Sequence, residues 1–131
     1  MKHPPKRLPD AELEVMKALW QADTPLTRPE LEARLASHGW ASTTLLALLS
    51  RLEAKDCVAR EKQGRGYLYR AKLSRKDYLP VESRSALERL FDGSARNLIA
   101  AMAESDALTD QDIDELEEYL AKLKAGRAAG H

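Results

Sequence analysis

A single cysteine, Cys57, occurs in the 131 residues of the chain. One thiol excludes an internal disulfide and any metal site built from several cysteines. Aromatic side chains are scarce, at 5%, so a core has to come from the abundant leucine and alanine. No run of about 18 apolar residues exists, which excludes a transmembrane helix. The N-terminal Met-Lys-His-Pro-Pro-Lys-Arg lacks the apolar stretch of a secretory signal. The expectation is a cytoplasmic protein with no membrane partner. The groups that support catalysis are equally sparse. His3 and His131 lie near the chain ends, and His38 stands alone beside Gly39. Cys57 has no histidine near it in sequence, and no glycine-rich phosphate loop or clustered metal ligands are present. No enzyme activity, cofactor or metal is expected, and Cys57 reads as a small buried hydrophobe.

The formal net charge is zero, but the signs are unevenly spread. Residues 1–76 carry 15 of the 21 basic and 9 of the 21 acidic side chains, and residues 77–131 carry the other 6 and 12. A segment of net +6 followed by one of −6 points to a polyanionic partner for the N-terminal part only.

The order of elements follows from periodicity and capping residues. Residues 1–8, rich in proline and basic side chains, read as a flexible N-terminal arm. A first helix is expected from Asp10, as its cap, to Gln21, with Leu13, Met16, Leu19 and Trp20 on one face. Thr24-Pro25-Leu26 is a short extended connector. Thr27-Arg28-Pro29-Glu30 is a capping box that opens a second helix, with Leu31 and Leu35 inward and Ser37-His38-Gly39 as its stop. A third helix spans about Ser42 to Lys55, capped by Ser42 or by the turn at Ala41. Asp56, just past it, should hold a left-handed backbone conformation. Ser74 to Asp77 signals a helix running to about Phe91, and Asp92-Gly93-Ser94 breaks it. A helix over 95–104 follows, and Thr109 to Asp112 caps a last one that frays from Ala125.

The most informative stretch is Trp40 to Ala71. Leu45, Leu48, Leu49 and Leu52 form an i, i+3, i+4, i+7 stripe. Two β-prone runs, 58–62 and 67–71, then flank Gln63-Gly64-Arg65-Gly66 and read as a hairpin. A helix with one buried face beside a cationic hairpin is the layout of a winged helix-turn-helix: the helix suits a major groove and the hairpin the flanking backbone. With the leucine stripe inward, Thr43, Leu46, Ala47 and Ser50 point outward, and Thr44 and Arg51 lie on a flank. Thr43 and Thr44 suit phosphate oxygens, as does Arg51. Ser50 can read a base edge, and Leu46 and Ala47 can meet a thymine methyl. Lys62 and Arg65 put positive charge at the hairpin tip. Capping for the threonines and edge packing for Leu46 are the structural alternatives.

The fold expected is therefore mainly α with a small β-hairpin: a winged helix over residues 9–76, three dimerisation helices over 77–125, and a frayed tail over 126–131. Three short amphipathic helices cannot enclose a core alone. Leu87, Leu90, Phe91, Leu98, Ile99, Met102, Ile113, Leu116, Leu120 and Leu123 are the candidate interface of a two-fold homodimer. Double-stranded operator DNA is the expected partner. The alternative is a winged-helix module that binds protein without reading DNA, and steep salt dependence of binding would distinguish the two.

Several segments carry a family resemblance. They are Ala11 to Lys17 with Leu19-Trp20; Trp40, Thr43-Thr44, Leu48-Leu49 and Arg51-Leu52; Gly64-Arg65 with Tyr67-Leu68-Tyr69; and Phe91, Gly93-Ser94, Leu98, Glu104, Leu108, Ile113 and Glu115-Leu116. In this order, over about residues 8–123, the chain resembles the penicillinase-repressor family of bacterial regulators, which includes methicillin-resistance and copper-operon repressors. The resemblance implies a homodimeric winged-helix repressor that binds palindromic operators and blocks transcription. It also implies an inducing partner, a sensor protease in the antibiotic-resistance members. Four positions depart from the pattern. Leu46 and Ala47 stand where the family often has Lys and Thr. Asp56 stands where glycine is common. Ala101-Met102 replaces the Asn-Phe bond cut in the antibiotic-resistance members. The tail lacks the cysteine motif of the copper-responsive members.

Overall fold

Thr27 and Glu30 show how directly local chemistry sets the helix boundaries. The Glu30 amide donates to Thr27 Oγ1 at 3.3 Å, and Glu30 Oε1 accepts from the Thr27 amide at 2.8 Å. This reciprocal box opens α2, Arg28–Arg34, with Pro29 in the first turn where its missing N–H is harmless. The computed structural model describes residues 5–130. Residues 1–4 of the expected arm, with His3, and the last residue, His131, lie outside the described residues.

Ahead of α2 come α1, Asp10–Ala22, and the two-residue strand β1, Leu26–Thr27. Asp10 is the first residue of α1 rather than its cap: Pro9 takes the cap position, with no side-chain hydrogen bond. Asp10 and Glu12 still lie in the first turn, where the helix dipole favours negative charge. After α2 a single 3-10 turn, Ala36–His38, ends at Gly39, whose φ of 67° is a conformation glycine adopts without a Cβ penalty. Then come α3, Ser42–Ala54, and the hairpin strands β2, Val58–Gln63, and β3, Gly66–Ala71. The sheet order is β1-β3-β2, all antiparallel, with Leu26 opposite Tyr69 and Val58 opposite Ala71. Val58 and Tyr69 are buried at its base, and the rest of β2 runs out into solvent.

The buried core draws on α1, α2, α3 and the sheet: Val15, Met16, Leu19, Leu31, Leu45, Leu49, Leu52 and Val58 are its centre. Two residues outside the expected 9–76 boundary join it. Leu8, assigned to the flexible arm from sequence, is only 2% exposed. Its amide donates to Tyr78 Oη at 2.8 Å, and Tyr78 Oη donates to Glu82 Oε1 at 2.8 Å. Tyr78 is buried, with its ring centroid 5.8 Å from that of Trp20. The indole N–H of Trp20 in turn donates to the Leu73 carbonyl at 2.8 Å. The apolar residues of the N-terminal part thus need the start of α4, Arg75–Phe91, and the first compact unit runs to Ser85.

The second unit begins at Ala86 and contains the end of α4, α5, Ala95–Glu104, and α6, Asp110–Ala129. Ser94 caps α5 through the Asn97 amide, and Thr109 with Asp112 forms the capping box of α6. Contrary to the expected fraying from Ala125, α6 continues to Ala129, in keeping with the high helix propensity of its Ala, Lys and Arg residues. Neither α5 nor α6 contains a buried residue.

Asp23, Asp56, Asp92 and Asp106 are the four non-glycine residues with positive φ among the described residues, at 55°, 62°, 49° and 58°. Each follows the end of a helix. Aspartate tolerates the left-handed region better than most residues because its short side chain bonds locally. The expectation for Asp56 holds, and the chain applies the same solution at three other helix ends.

Candidate nucleic-acid interface

The leucine stripe Leu45, Leu48, Leu49 and Leu52 is buried, so α3 is held by one face only. Thr43, Thr44, Leu46, Ala47, Ser50 and Arg51 are all exposed, as the helical spacing requires. At the N-terminus of α3 the second of the two expected caps, the turn at Ala41, is the one adopted, with no side-chain hydrogen bond. Ser42 Oγ is drawn away by α2: it donates to Glu32 Oε2 at 3.0 Å, an oxygen that also accepts from Arg28 Nη1 at 2.7 Å. Thr43 and Thr44 do not cap the helix, and the first-turn amides remain without a side-chain acceptor.

No acidic residue occurs on α3 before Glu53, and Glu53 faces Arg60 at 3.2 Å. At the other end of the helix, Lys55 Nζ reaches Glu12 Oε1 at 2.5 Å, and Asp56 pairs with Lys72. Glu12 falls on the same 12, 15, 16, 19 stripe as Val15, Met16 and Leu19, so its burial was readable from spacing alone.

The hairpin connects through Gly64 and Arg65, with Gln63 opposite Gly66. Gly64 has φ of 60°, positive at the first loop residue, the position a II′ hairpin turn reserves for glycine. Arg65 is exposed at this tip and makes no ion pair among the described residues. Lys62 and Arg60 lie over the ring of Tyr67, at 5.4 and 4.4 Å from its centroid. Tyr67 thus holds two cations against the wing. The period-2 pattern places residues 60, 62 and 67 on one face, but the stacking itself leaves no sequence signal.

The candidate nucleophile and metal ligands find other roles. Cys57 is buried, and desolvation raises its thiol pKa above the usual value, with Lys55 opposing and Glu12 and Asp56 adding to the rise. His38 stacks on Trp40, with centroids 4.5 Å apart, and its Nε2 lies 3.5 Å from Glu14 Oε1. Among the described residues no group of three or more His, Cys, Asp or Glu is placed to hold a metal. Also among the described residues, no helix is long and apolar enough to cross a membrane.

Leu87, Leu90, Phe91, Leu98, Ile99, Met102, Ile113, Leu116, Leu120 and Leu123 all lie in the second unit, and none is buried in the single chain. Met102, Leu108 and Leu116 line a cleft with Ala107, Asp112, Glu115 and the exposed Tyr119, an aromatic missed from sequence.

Comparison with known proteins agrees with this geometry. The chain is 32% identical over 122 residues to the penicillinase repressor of Bacillus licheniformis, covering 91% of this chain and 95% of that one. It is 24% identical over 112 residues to the methicillin resistance regulatory protein MecI of Staphylococcus aureus strain N315, covering 86% and 91%. The solution structure of the DNA-binding domain of the repressor BlaI is similar, with a TM-score of 0.51 and 32% identity over 60% of this chain and 95% of that one. A mutant MarR from E. coli shares the fold at a TM-score of 0.50 and 20% identity, over 88% of this chain and 77% of that one. The fold is a winged helix followed by a helical region, and the penicillinase repressor family model matches residues 8–122: the chain belongs to that family.

Proposed function

We propose that the chain is a DNA-binding transcriptional repressor that acts in the cytoplasm as a homodimer on a palindromic operator. Family membership makes it a repressor rather than an enzyme. The observation that carries the DNA reading is the pairing of an exposed helix face, free of acids before Glu53, with an exposed arginine, Arg65, that makes no ion pair among the described residues, at a two-residue wing tip. The uncapped first turn of α3, with Thr43 and Thr44, meets phosphate. Leu46, Ala47 and Ser50 face the base edges, and Arg51 reaches backbone beside them. Lys62 and Arg65 bring the wing to the flanking duplex. Charge follows the same division. The unit ending at Ser85 carries 16 basic and 11 acidic residues, and the unit after it 5 and 10. Similarity to a protein described as the DNA-binding domain of a repressor supports the same reading.

The second unit supplies the dimer. Its ten candidate interface residues are apolar, and none is buried in the single chain, so a second copy is the economical partner. Joining two winged helices doubles the readout, and each half-site raises the effective concentration of the other. Release from DNA requires a further partner, a sensor protease or another inducer.

Duplex binding measured against salt tests the reading. Affinity should fall steeply with salt, and Arg65→Ala should weaken every duplex by a similar factor while reducing the slope by about 0.9, the share of one phosphate. Flat salt dependence would favour a protein-binding module instead. Unchanged affinity of Arg65→Ala at low salt would remove the wing from the interface.

A further inference from the structure

Among the described residues, Leu46 is the single large hydrophobic side chain exposed in the winged-helix unit before α4, at 42%. The other leucines of α3 before it and after it, Leu45, Leu48, Leu49 and Leu52, are buried. At 100° per residue Leu46 stands about 60° from Thr43 and about 40° from Ser50, one turn along the helix from each. Its neighbours on the exposed face are the hydroxyls of Thr43 and Ser50, with Ala47 beside them, while Arg51 lies about 140° round the helix. No acid precedes Glu53 on α3, and Glu53, two turns on from Leu46, is paired with Arg60 at 3.2 Å. A lone leucine set among hydroxyls makes no groove for a protein helix, whose docking needs several apolar anchors. It fits a small apolar group carried on a polyanion. In the major groove of DNA the base edges present one such group, the 5-methyl of thymine, while the other groups are hydrogen-bond donors and acceptors that leucine cannot satisfy. A cytosine methylated at the same carbon presents the same group.

Resting on the DNA-binding reading above, we propose that Leu46 reads a pyrimidine 5-methyl group in each operator half-site, and that operator affinity therefore depends on that methyl. Ser50, one turn on, supplies the adjacent hydrogen bond to a base edge, and Ala47 leaves room for the groove wall to approach. The methyl is recognised by burial alone, so its removal changes affinity without disturbing any base pair.

The test uses the full chain and a duplex selected from a random pool by binding. Each thymine of one half-site is replaced singly by deoxyuridine, which deletes the methyl and nothing else. At one position affinity should fall about fourfold, the value of one buried methyl, and about fifteenfold when both half-sites are changed. Leu46→Ala should bind the thymine and uridine duplexes equally. Leu46 is exposed, so this variant should unfold at the parent temperature. At the sensitive position, cytosine and 5-methylcytosine are then compared. A gain on methylation assigns the contact to the methyl whatever base carries it, and the absence of a gain confines it to thymine. The proposal is overturned if no uridine substitution changes affinity by more than about twofold, or if Leu46→Ala retains the same sensitivity. Failure to enrich any duplex at low salt would instead overturn the DNA reading itself.

Discussion

Lys55 Nζ lies 2.5 Å from Glu12 Oε1, tying the C-terminal end of α3 to a carboxylate buried on α1. Glu12 is the one charged residue buried among the described residues. The pair is lopsided: the Glu12 side chain is 5% accessible and that of Lys55 43%. The two halves of the pair should therefore respond differently to substitution. Lys55→Ala strands a buried carboxylate and should cost about 1–2 kcal/mol, well below a fully buried pair because Lys55 is screened by solvent. Glu12→Gln leaves a lysine that can turn to water, and should cost less. Urea denaturation of both variants measures the difference. Equal losses would mean that the carboxylate is not dependent on Lys55.

Asp56 sits at φ of 62° and pairs with Lys72. Its two neighbours in amino-acid space separate these effects. Asp56→Gly removes a backbone penalty of about 1 kcal/mol but also an exposed ion pair worth about 0.2–1 kcal/mol, so the gain should be small. Asp56→Ala loses the pair and keeps the strained conformation, and should destabilise by about 1–2 kcal/mol. The order of stability expected is Gly, Asp, Ala. Thermal unfolding with alanine equal to glycine would show that the left-handed conformation carries no penalty here.

The elements were legible in the sequence where one local rule dominated. The Thr27–Glu30 and Thr109–Asp112 boxes, the leucine stripe of α3 and the Asp92-Gly93 break all rest on residues no more than seven positions apart. Contacts made across long separations were not legible. Leu8 and Tyr78 meet over 70 residues, so a leucine next to two prolines reads as arm until the tyrosine hydroxyl is in place. The choice between Ser42 and the Ala41 turn as cap of α3 has the same cause, since Glu32 competes for the Ser42 hydroxyl from another helix. On the interface, spacing identifies which side chains face outward, but the stacking of Arg60 and Lys62 on Tyr67 depends on strand pairing.

Burial raises the Cys57 thiol pKa, so the neutral form is favoured in the folded chain. A group whose folded pKa is raised contributes stability below its unfolded value, about 8.5, and that contribution is lost as pH climbs through the folded value. Stability should therefore decline on the alkaline side, and Cys57→Ala should show a shallower decline above about pH 8.5. At neutral pH the thiol should react with a disulfide reagent only as fast as the fold opens. Immediate stoichiometric reaction in the native protein would contradict the buried, protonated thiol.

The division after Ser85 leads to a truncation test. A fragment of residues 1–85 retains Tyr78, its bond to the Leu8 amide and its packing on Trp20. A fragment of residues 1–76 loses all three. Removing a buried aromatic typically costs about 3–5 kcal/mol, a large share of the stability of a small domain. The longer fragment should unfold cooperatively with dispersed amide resonances, and the shorter should be partly unfolded at 25 °C. Equal stability of the two would return the boundary to residue 76.

Leu90 and Leu120 are 66% and 53% exposed in the single chain, which makes them sharp probes of the proposed dimer. A residue already in water contributes little to the fold of one protomer, so Leu90→Ser and Leu120→Ser should leave monomer helicity unchanged. If a second copy covers these side chains, each substitution removes about 1–2 kcal/mol of burial per protomer and acts twice in a two-fold interface. The dimer dissociation constant should then rise by about two orders of magnitude or more, read by sedimentation over a concentration series. Leu116 is partly buried in the single chain, so Leu116→Asp should either dissociate the dimer or unfold the second unit. Operator affinity should fall with dimerisation in the serine variants, while binding to a single half-site by the first unit stays the same. A dimer that survives both serine substitutions would place the interface elsewhere, and a parent protein that sediments as a monomer at micromolar concentration would remove the dimer from the mechanism.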